Sequence, residues 1–298
     1  MRVLVYGATG SQAHPIVQQL LDRGHQPRVL TRDPAKSAAR FAAGVDLVHG
    51  DLSDAASLLA ASRGVDAVAF MIPAFLSDPE NALLYTEQAI QAAAAGGARL
   101  VVWNTSGRFP EPGEDREVGK AMLATRAVLE AGGLPLITVA PTTYMENLLG
   151  PWTVNGIRSA GRVAYPVLAN RKMGWIASRD VCALMVAALE RPQLAGRVFR
   201  VSGVEALTGS QLAAAFSAVL GRPLSYYTLS PAEMKAELEK AFGPGSGDEV
   251  AGEYALDQAD PHPPAKYYDM SAVLADLPVR MTSIREWIAA NAAAFTER

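Results

Sequence analysis

The chain opens on Arg2-Val3-Leu4-Val5-Tyr6, a run of strand-forming residues. It breaks at once into Gly7-Ala8-Thr9-Gly10-Ser11-Gln12-Ala13, after which an amphipathic helical pattern begins. A strand, a glycine-rich turn and a helix in that order form the context that a dinucleotide-binding fingerprint requires. Gly7 can take backbone angles closed to other residues, so the chain can turn sharply off the strand. Gly10 lets the backbone approach a pyrophosphate, whose charge is met by free N–H groups at a helix start. Ala13 is the small residue that allows helix and strand to pack closely. A chance glycine pair ahead of a surface helix would lack this context.

The alternation then repeats. Ile16, Val17, Leu20 and Leu21 form an apolar helical stripe that Gly24 ends, and Pro27 to Thr31 reads as the next strand. Val45 to Val48, Ala67 to Ile72, Leu100 to Trp103 and Leu136 to Ala140 follow as strands, with helices from Asn81 to Ala95 and from Gly119 to Gly133 between the later ones. Ala67 to Ile72 is apolar throughout, as expected of a strand covered on both faces. The expected fold is therefore α/β, a doubly wound parallel sheet. Beyond residue 148 the periodicity changes. Tyr165 to Leu168 and Gly174 to Ile176 read as short strands, Val198 to Val201 as a strand rejoining the sheet, and Val181 to Leu189 as a helix. Thr208-x-x-Gln211 and Ser283-x-x-Glu286 have the spacing of capping boxes. Residues 243–264, rich in Gly, Pro, Asp and Glu, read as a long loop, either a lid or a disordered insertion.

Composition narrows the function. With 298 residues the chain can bury a large core, and no apolar run reaches the length of a membrane span or the pattern of a secretory leader. One cysteine, Cys182, excludes an internal disulfide framework, so a reducing, cytoplasmic setting is expected. The net charge of −3, with basic residues scattered, leaves no footprint for nucleic acid. The four histidines share no metal-ligand spacing, so no metal site is expected.

The end of the second strand decides which dinucleotide. An acidic residue there would bind the ribose 2′-OH of NAD. The chain has Thr31-Arg32 instead, with Lys36 one helical turn on. A guanidinium can make paired hydrogen bonds to a phosphate, so Arg32 favours NADP(H) over NAD(H), although an arginine in a solvated turn would look the same. After the third strand comes Gly50-Asp51-Leu52-Ser53, where Asp51 can cap the next helix, contact the adenine edge, or do both, with Leu52 packing on the ring. Met71-Ile72-Pro73 ends the fourth strand, and Asn104-Thr105-Ser106-Gly107 ends the fifth. Hydroxyls there either meet a substrate or nicotinamide or simply form a turn.

The four motifs GATGSQA, TRDP, GDLSD and PTTYMENLL, in this order, resemble the NmrA-like family of the atypical short-chain dehydrogenase/reductase superfamily, over residues 1 to about 220. The resemblance implies a Rossmann domain (residues 1–147 plus about 175–203) and a smaller C-terminal α+β substrate region (148–174 plus 204–298). It assigns Gly7, Thr9, Gly10, Ser11, Gln12 and Ala13 to the pyrophosphate, Arg32 to the 2′-phosphate, and Asp51 and Leu52 to adenine. Met71, Ile72, Pro73 and Pro141 would line the cofactor cleft, and Tyr144, Met145, Glu146 and Asn147 would border the nicotinamide and substrate.

One departure bears on chemistry. Short-chain dehydrogenases usually carry Tyr-x-x-x-Lys, the tyrosine acting as acid and the lysine lowering its pKa and holding the ribose. Here Arg116 stands four residues before Lys120, and an arginine cannot give up its proton at working pH. Lys120 is left as a candidate ribose anchor, against the alternative of a solvated lysine at a helix start, and Tyr144 as a candidate catalytic residue. Two functions follow from the resemblance. One is an NADPH-dependent reductase passing hydride to a quinone, enone or similar apolar carbonyl, whose conjugated product oxygen needs no dedicated tyrosine acid. Phe75, Trp152 and Tyr165 are its candidate pocket walls. The other is a non-catalytic NADP(H) sensor acting through a protein partner. Action on lignan-like or other aromatic substrates is a third, less favoured reading. The expected partner is a small apolar substrate, with no nucleic acid and no membrane, and the chain a monomer or homodimer.

Overall fold

The computed structural model describes residues 1–72 and 79–296. The chain begins with β1 (Arg2–Val5), α1 (His14–Asp22), β2 (Gln26–Thr31), α2 (Pro34–Ser37), β3 (Asp46–His49), α3 (Ala55–Ser62) and β4 (Ala67–Phe70). It continues through α4 (Ala82–Gly96), β5 (Val101–Asn104), α5 (Glu117–Ala131) and β6 (Leu136–Pro141). After β7 (Thr143–Tyr144), α6 (Pro151–Ala160), β8 (Arg162–Tyr165) and β9 (Met173–Ile176), it returns with α7 (Ser178–Leu189) and β10 (Val198–Val201). The remainder is β11 (Ala206–Leu207), α8 (Gly209–Leu220), β12 (Ser225–Thr228), α9 (Pro231–Phe242), α10 (Asp248–Ala259), α11 (Ser271–Asp276), α12 (Ile284–Ala290) and α13 (Ala292–Thr296).

Two compact units result. The first comprises residues 1–141, 178–201 and 271–280. Its seven-stranded sheet runs β10-β6-β5-β4-β1-β2-β3, and every neighbouring pair is parallel. This is the doubly wound Rossmann order. The strand sequence reverses between β1 and β4, and a ligand crevice belongs at the carboxyl ends of the strands there. Period-two alternation explains the layering. Leu4, Tyr6, Val68, Phe70, Val101 and Trp103 share a core with Leu58 of α3, Ile90 of α4 and Leu129 of α5. α7, almost wholly buried, packs against α1, β4, β5 and β6.

The second unit comprises residues 142–177, 202–270 and 281–298, described to residue 296. β7 and β11 flank β9, and β12 pairs with β8. Tyr165, Trp175, Phe216, Trp287 and Phe295 fill its core, where Phe216 and Phe295 meet edge to face with centroids 5.0 Å apart. Reciprocal capping boxes open three of its helices at Thr208, Ser230 and Ser283.

Several boundaries differ from those expected. Residues 142–147 and 175–177 lie in the second unit, because Thr143 and Tyr144 pair with Trp175 and Ile176 of β9. Residues 271–280 lie in the first, where Asp276 bonds Arg197 at 2.6 Å. The strand placed at Tyr165 to Leu168 is β8, which ends at Tyr165. The 243–264 stretch is not a structureless loop, since α10 occupies Asp248–Ala259. Its Val250 and Tyr254 pack on Leu229, Met234 and Leu238.

Candidate active site at the carboxyl edge of the parallel sheet

Directly after β1 the chain turns through Gly7, whose φ is +73°. A Cβ there would stand 3.0 Å from Met71 Cε and 3.3 Å from the Met71 carbonyl oxygen, so a side chain would be strained in conformation and would force Met71 to give way. Gly10 N–H donates to Gly7 O at 2.8 Å and His14 N–H to Gly10 O at 3.0 Å, winding residues 7–14 into successive turns that deliver the chain to α1. The backbone N–H groups of Ser11, Gln12 and Ala13 have no hydrogen-bond partner among the described residues. Buried Ala13 leaves room for the helix to approach the sheet, and Cys182 Sγ of α7 donates to the Gln12 carbonyl at 3.3 Å. The loop is held by these bonds while three of its donors stay unpaired among the described residues. That is the arrangement an anion requires at a helix start.

The end of β2 adds positive charge. Arg32 is exposed and makes no ion pair among the described residues. Arg40, which the sequence reading passed over, donates from Nη1 to the Thr9 carbonyl at 2.7 Å and so reaches the glycine-rich loop itself. The signal was present: Arg32, Lys36 and Arg40 recur every four residues. Asp51 does not cap α3, because Asp54 accepts from the N–H groups of Ala56 and Ser57. Asp51 instead closes an Asx turn, accepting from Ser53 N–H at 2.9 Å and Ser53 Oγ at 2.6 Å. Leu52 is half-buried against the sheet core.

Across the reversal, Met71 is buried beneath Gly7 and its sulfur accepts from Asn104 Nδ2 at 3.7 Å. Ile72 is half-buried, whereas Pro73 and Phe75 lie outside the described residues. At the end of β5, Ser106 is held at φ +59°, the only non-glycine residue with positive φ among the described residues. Its N–H donates to Asn104 Oδ1 at 2.8 Å and its hydroxyl to Gln12 Oε1 at 2.5 Å. A strained serine tied to the fingerprint loop marks a constrained position. The structure thus brings together Gly7, Gly10, Gln12, Met71, Asn104 and Ser106, with Arg40 bonded to the loop at Thr9.

The other candidates lie on different elements. Lys120 on α5 is half-exposed, and its Nζ lies 2.7 Å from Asp115 and 2.8 Å from Glu117. Donating hydrogen bonds to both carboxylates pushes its pKa upward. Arg116 is the N-cap residue of the same helix. Pro141 is buried at the end of β6. In the second unit Tyr144 is only 2% exposed. Tyr165 is core rather than pocket wall. It is 1% exposed, its ring lies 4.8 Å from that of Trp175, and its hydroxyl bonds Tyr254 at 2.9 Å and Asn147 at 3.3 Å. Trp152 is half-buried in the same unit. Among the described residues no group of three or more metal-ligating side chains occurs, and no helix is long and apolar enough to cross a membrane.

Comparison with known proteins agrees with this architecture. The chain is 34% identical to a (4-alkanoyl-5-oxo-2,5-dihydrofuran-3-yl)methyl phosphate reductase of Streptomyces griseus, over 81% of this chain and 82% of that one. It is 31% identical to an NAD(P)H azoreductase of Xenophilus azovorans, over 98% and 99%. The NADPH-dependent quinone oxidoreductase QOR2 of Escherichia coli, solved with NADPH, superposes with a TM-score of 0.80 at 20% identity, covering 97% of this chain and 99% of that one. The model of the NmrA-like family matches residues 1–256, and the chain belongs to that family.

Proposed function

We propose that the protein is an NADPH-dependent reductase that passes hydride to a quinone, enone or similar apolar conjugated carbonyl. The observation that carries the reading is the loop from Gly7 to Ala13, where three N–H donors have no partner among the described residues and Arg40 donates to the Thr9 carbonyl. These residues suit a dinucleotide phosphate. The N–H groups of Ser11, Gln12 and Ala13 would receive the pyrophosphate, with Thr9 and Gly10 shaping the loop. Arg32, where a carboxylate would select NAD, would receive the 2′-phosphate. Asp51 and Leu52 would edge the adenine, and Met71, Ile72, Pro73 and Pro141 the cleft. The two relatives at 34% and 31% identity are both named reductases, which favours an enzyme over a sensor.

When bound, NADPH supplies the hydride. Asn104 and Ser106 would border it, the Ser106 hydroxyl being committed to Gln12. Lys120, kept charged by Asp115 and Glu117, suits a hydrogen bond to a ribose hydroxyl and not proton donation. Arg116 cannot be an acid, and burial keeps the Tyr144 hydroxyl from solvent. A conjugated acceptor resolves this shortage. Its reduced oxygen is stabilised by conjugation and takes its proton from water.

The test is loss of nicotinamide absorbance when purified protein and NADPH meet a panel of quinones and enones. Turnover on a conjugated acceptor supports the reading. Tight NADPH binding with no turnover on any of them replaces it with a sensor acting through a protein partner. For cofactor choice, Arg32→Ala should weaken NADPH about tenfold or more, since a hydrogen bond to a charged group is worth roughly 1.5–3 kcal/mol, and leave NADH nearly unchanged. Equal weakening of both cofactors removes Arg32 from the 2′-phosphate.

A further inference from the structure

Within the second unit a cavity of about 170 Å³ opens between the β8–β9 connection and the chain that follows α10. Its wall is apolar at Val167 and Pro264, and its charged groups are Arg171, Lys172, Lys266 and Asp257. The single carboxylate is already taken, since Asp257 forms an ion pair with Lys266. Arg171 and Lys172 form no ion pair among the described residues. The position of Arg171 is nonetheless set. Its N–H donates to Leu168 O at 2.9 Å, and its Nη2 donates to the backbone carbonyl of Asp260 at 2.9 Å. The opposite wall is fixed as well, with Gly174 N–H donating to Lys266 O at 2.7 Å and the Lys266 ammonium 5.1 Å from the Tyr254 ring centroid.

A fixed guanidinium with no carboxylate partner beside an ammonium is a seat for an anionic oxygen group, which the guanidinium can meet with paired hydrogen bonds. The volume sets the size of what carries that group, since a cavity of roughly 150 Å³ holds one benzene ring. We propose that this cavity binds a small apolar body, one ring or a short chain, bearing a phosphate or carboxylate held by Arg171 and Lys172.

Calorimetric titration of the full chain, without cofactor, with phenyl phosphate, benzoate and benzyl alcohol tests the site. Both anions should bind more tightly than the alcohol, and the stronger of the two identifies the phosphate or carboxylate arm. Arg171→Ala should weaken the anions about tenfold, as expected for a charge-assisted hydrogen bond of about 1.4 kcal/mol, and leave the alcohol within about twofold. Exposed Lys172→Ala, which makes no internal bond to lose, should weaken them by a smaller factor and serves where Arg171→Ala fails to fold. Equal binding of anions and alcohol, or anion binding unchanged in both variants, overturns the proposal. Anion binding with no turnover of any acceptor keeps this site and rejects the reductase. Turnover of neutral acceptors with no anion binding does the reverse.

Discussion

The loop from Gly7 to Ala13 and the stretch 243–264 both abound in glycine, and they are built on opposite principles. In the first, each glycine answers a demand made within a few residues, a positive φ at Gly7 and a turn closed from Gly10 to Gly7. In the second, the glycines frame a helix, α10, whose inward face is little more than Val250, Ala251 and Tyr254. That face is too sparse to register as a helical period, and Gly252 weakens it further. What holds the helix is distant in sequence: Tyr254 bonds Tyr165, and Gln258 donates to Pro166 O at 3.2 Å and Leu229 O at 3.0 Å. Local backbone requirements leave a signature in sequence, and tertiary rescue of a weak helix does not.

The largest effect should come from cutting that tertiary support. Tyr165→Ala removes a buried aromatic ring and the hydroxyl that Tyr254 meets, and it should cost about 3–5 kcal/mol of stability in a urea melt. Amide exchange in residues 248–259 should accelerate more than in β1. If protection of α10 is unchanged, the helix stands on local structure and the contrast with the first loop collapses.

Next in size is a pair of alanine substitutions that share a backbone conformation and differ in surroundings. Gly7 and Gly133 have φ of +73° and +74°, but a Cβ at Gly133 meets nothing within 4 Å. Gly133→Ala should cost about 1 kcal/mol, the strain of a left-handed alanine alone. Gly7→Ala should approach about 3 kcal/mol, the top of the range for a strained residue, because Met71 must also yield. NADPH affinity should fall with Gly7→Ala only. Equal costs would mean that the contact with Met71 contributes nothing to the loop's specification.

A smaller effect is expected on acidification, and Glu114 carries it in the first unit. Arg108 hydrogen-bonds both oxygens of Glu114, and these bonds, helped by Glu111 N–H, hold that carboxyl below the ordinary range against partial burial. The native state therefore binds fewer protons than the unfolded chain as pH falls. The contribution is complete above the unfolded pKa of about 4.3 and is lost as pH drops through the lower folded value. Glu114→Gln should flatten the slope of stability against pH in that window, as read from urea midpoints. An unchanged slope would mean that other carboxylates carry it.

How far the molecule can be read from its sequence follows the same division. The doubly wound parallel sheet rests on strands whose apolar runs and intervening helices are local, and it is visible. Arg40 stayed hidden because its partner is the carbonyl of Thr9, thirty-one residues away. That Asp54 and not Asp51 caps α3 was hidden because both are aspartates ahead of the same helix, and the sequence leaves capping open at Asp51 beside an adenine contact. Tyr165 passes for a pocket wall because an aromatic residue within a short strand gives no hint of which side it faces. The cavity at Arg171 depends on Asp257 and Lys266 folding back onto β8 and β9, which no spacing encodes.

The smallest prediction concerns the one part of the second unit that is local. Ser230 Oγ accepts from Glu233 N–H at 3.2 Å, and the Glu233 carboxylate accepts from Ser230 N–H at 2.8 Å, closing a box over three residues at the start of α9. The same bonds hold the Glu233 carboxyl below its ordinary range. Ser230→Ala should cost about 1 kcal/mol, the usual value for a lost N-cap, and Ser283→Ala a similar amount at the start of α12. Ser230→Ala should act on α9 without unfolding α10, because Leu238 and Met234 still bury against Leu229 and Tyr254. A cost well beyond that value, with exchange protection lost in both helices, would mean that the cap nucleates the pair. The helix at 248–259 would then owe its order to a three-residue motif that the sequence shows plainly.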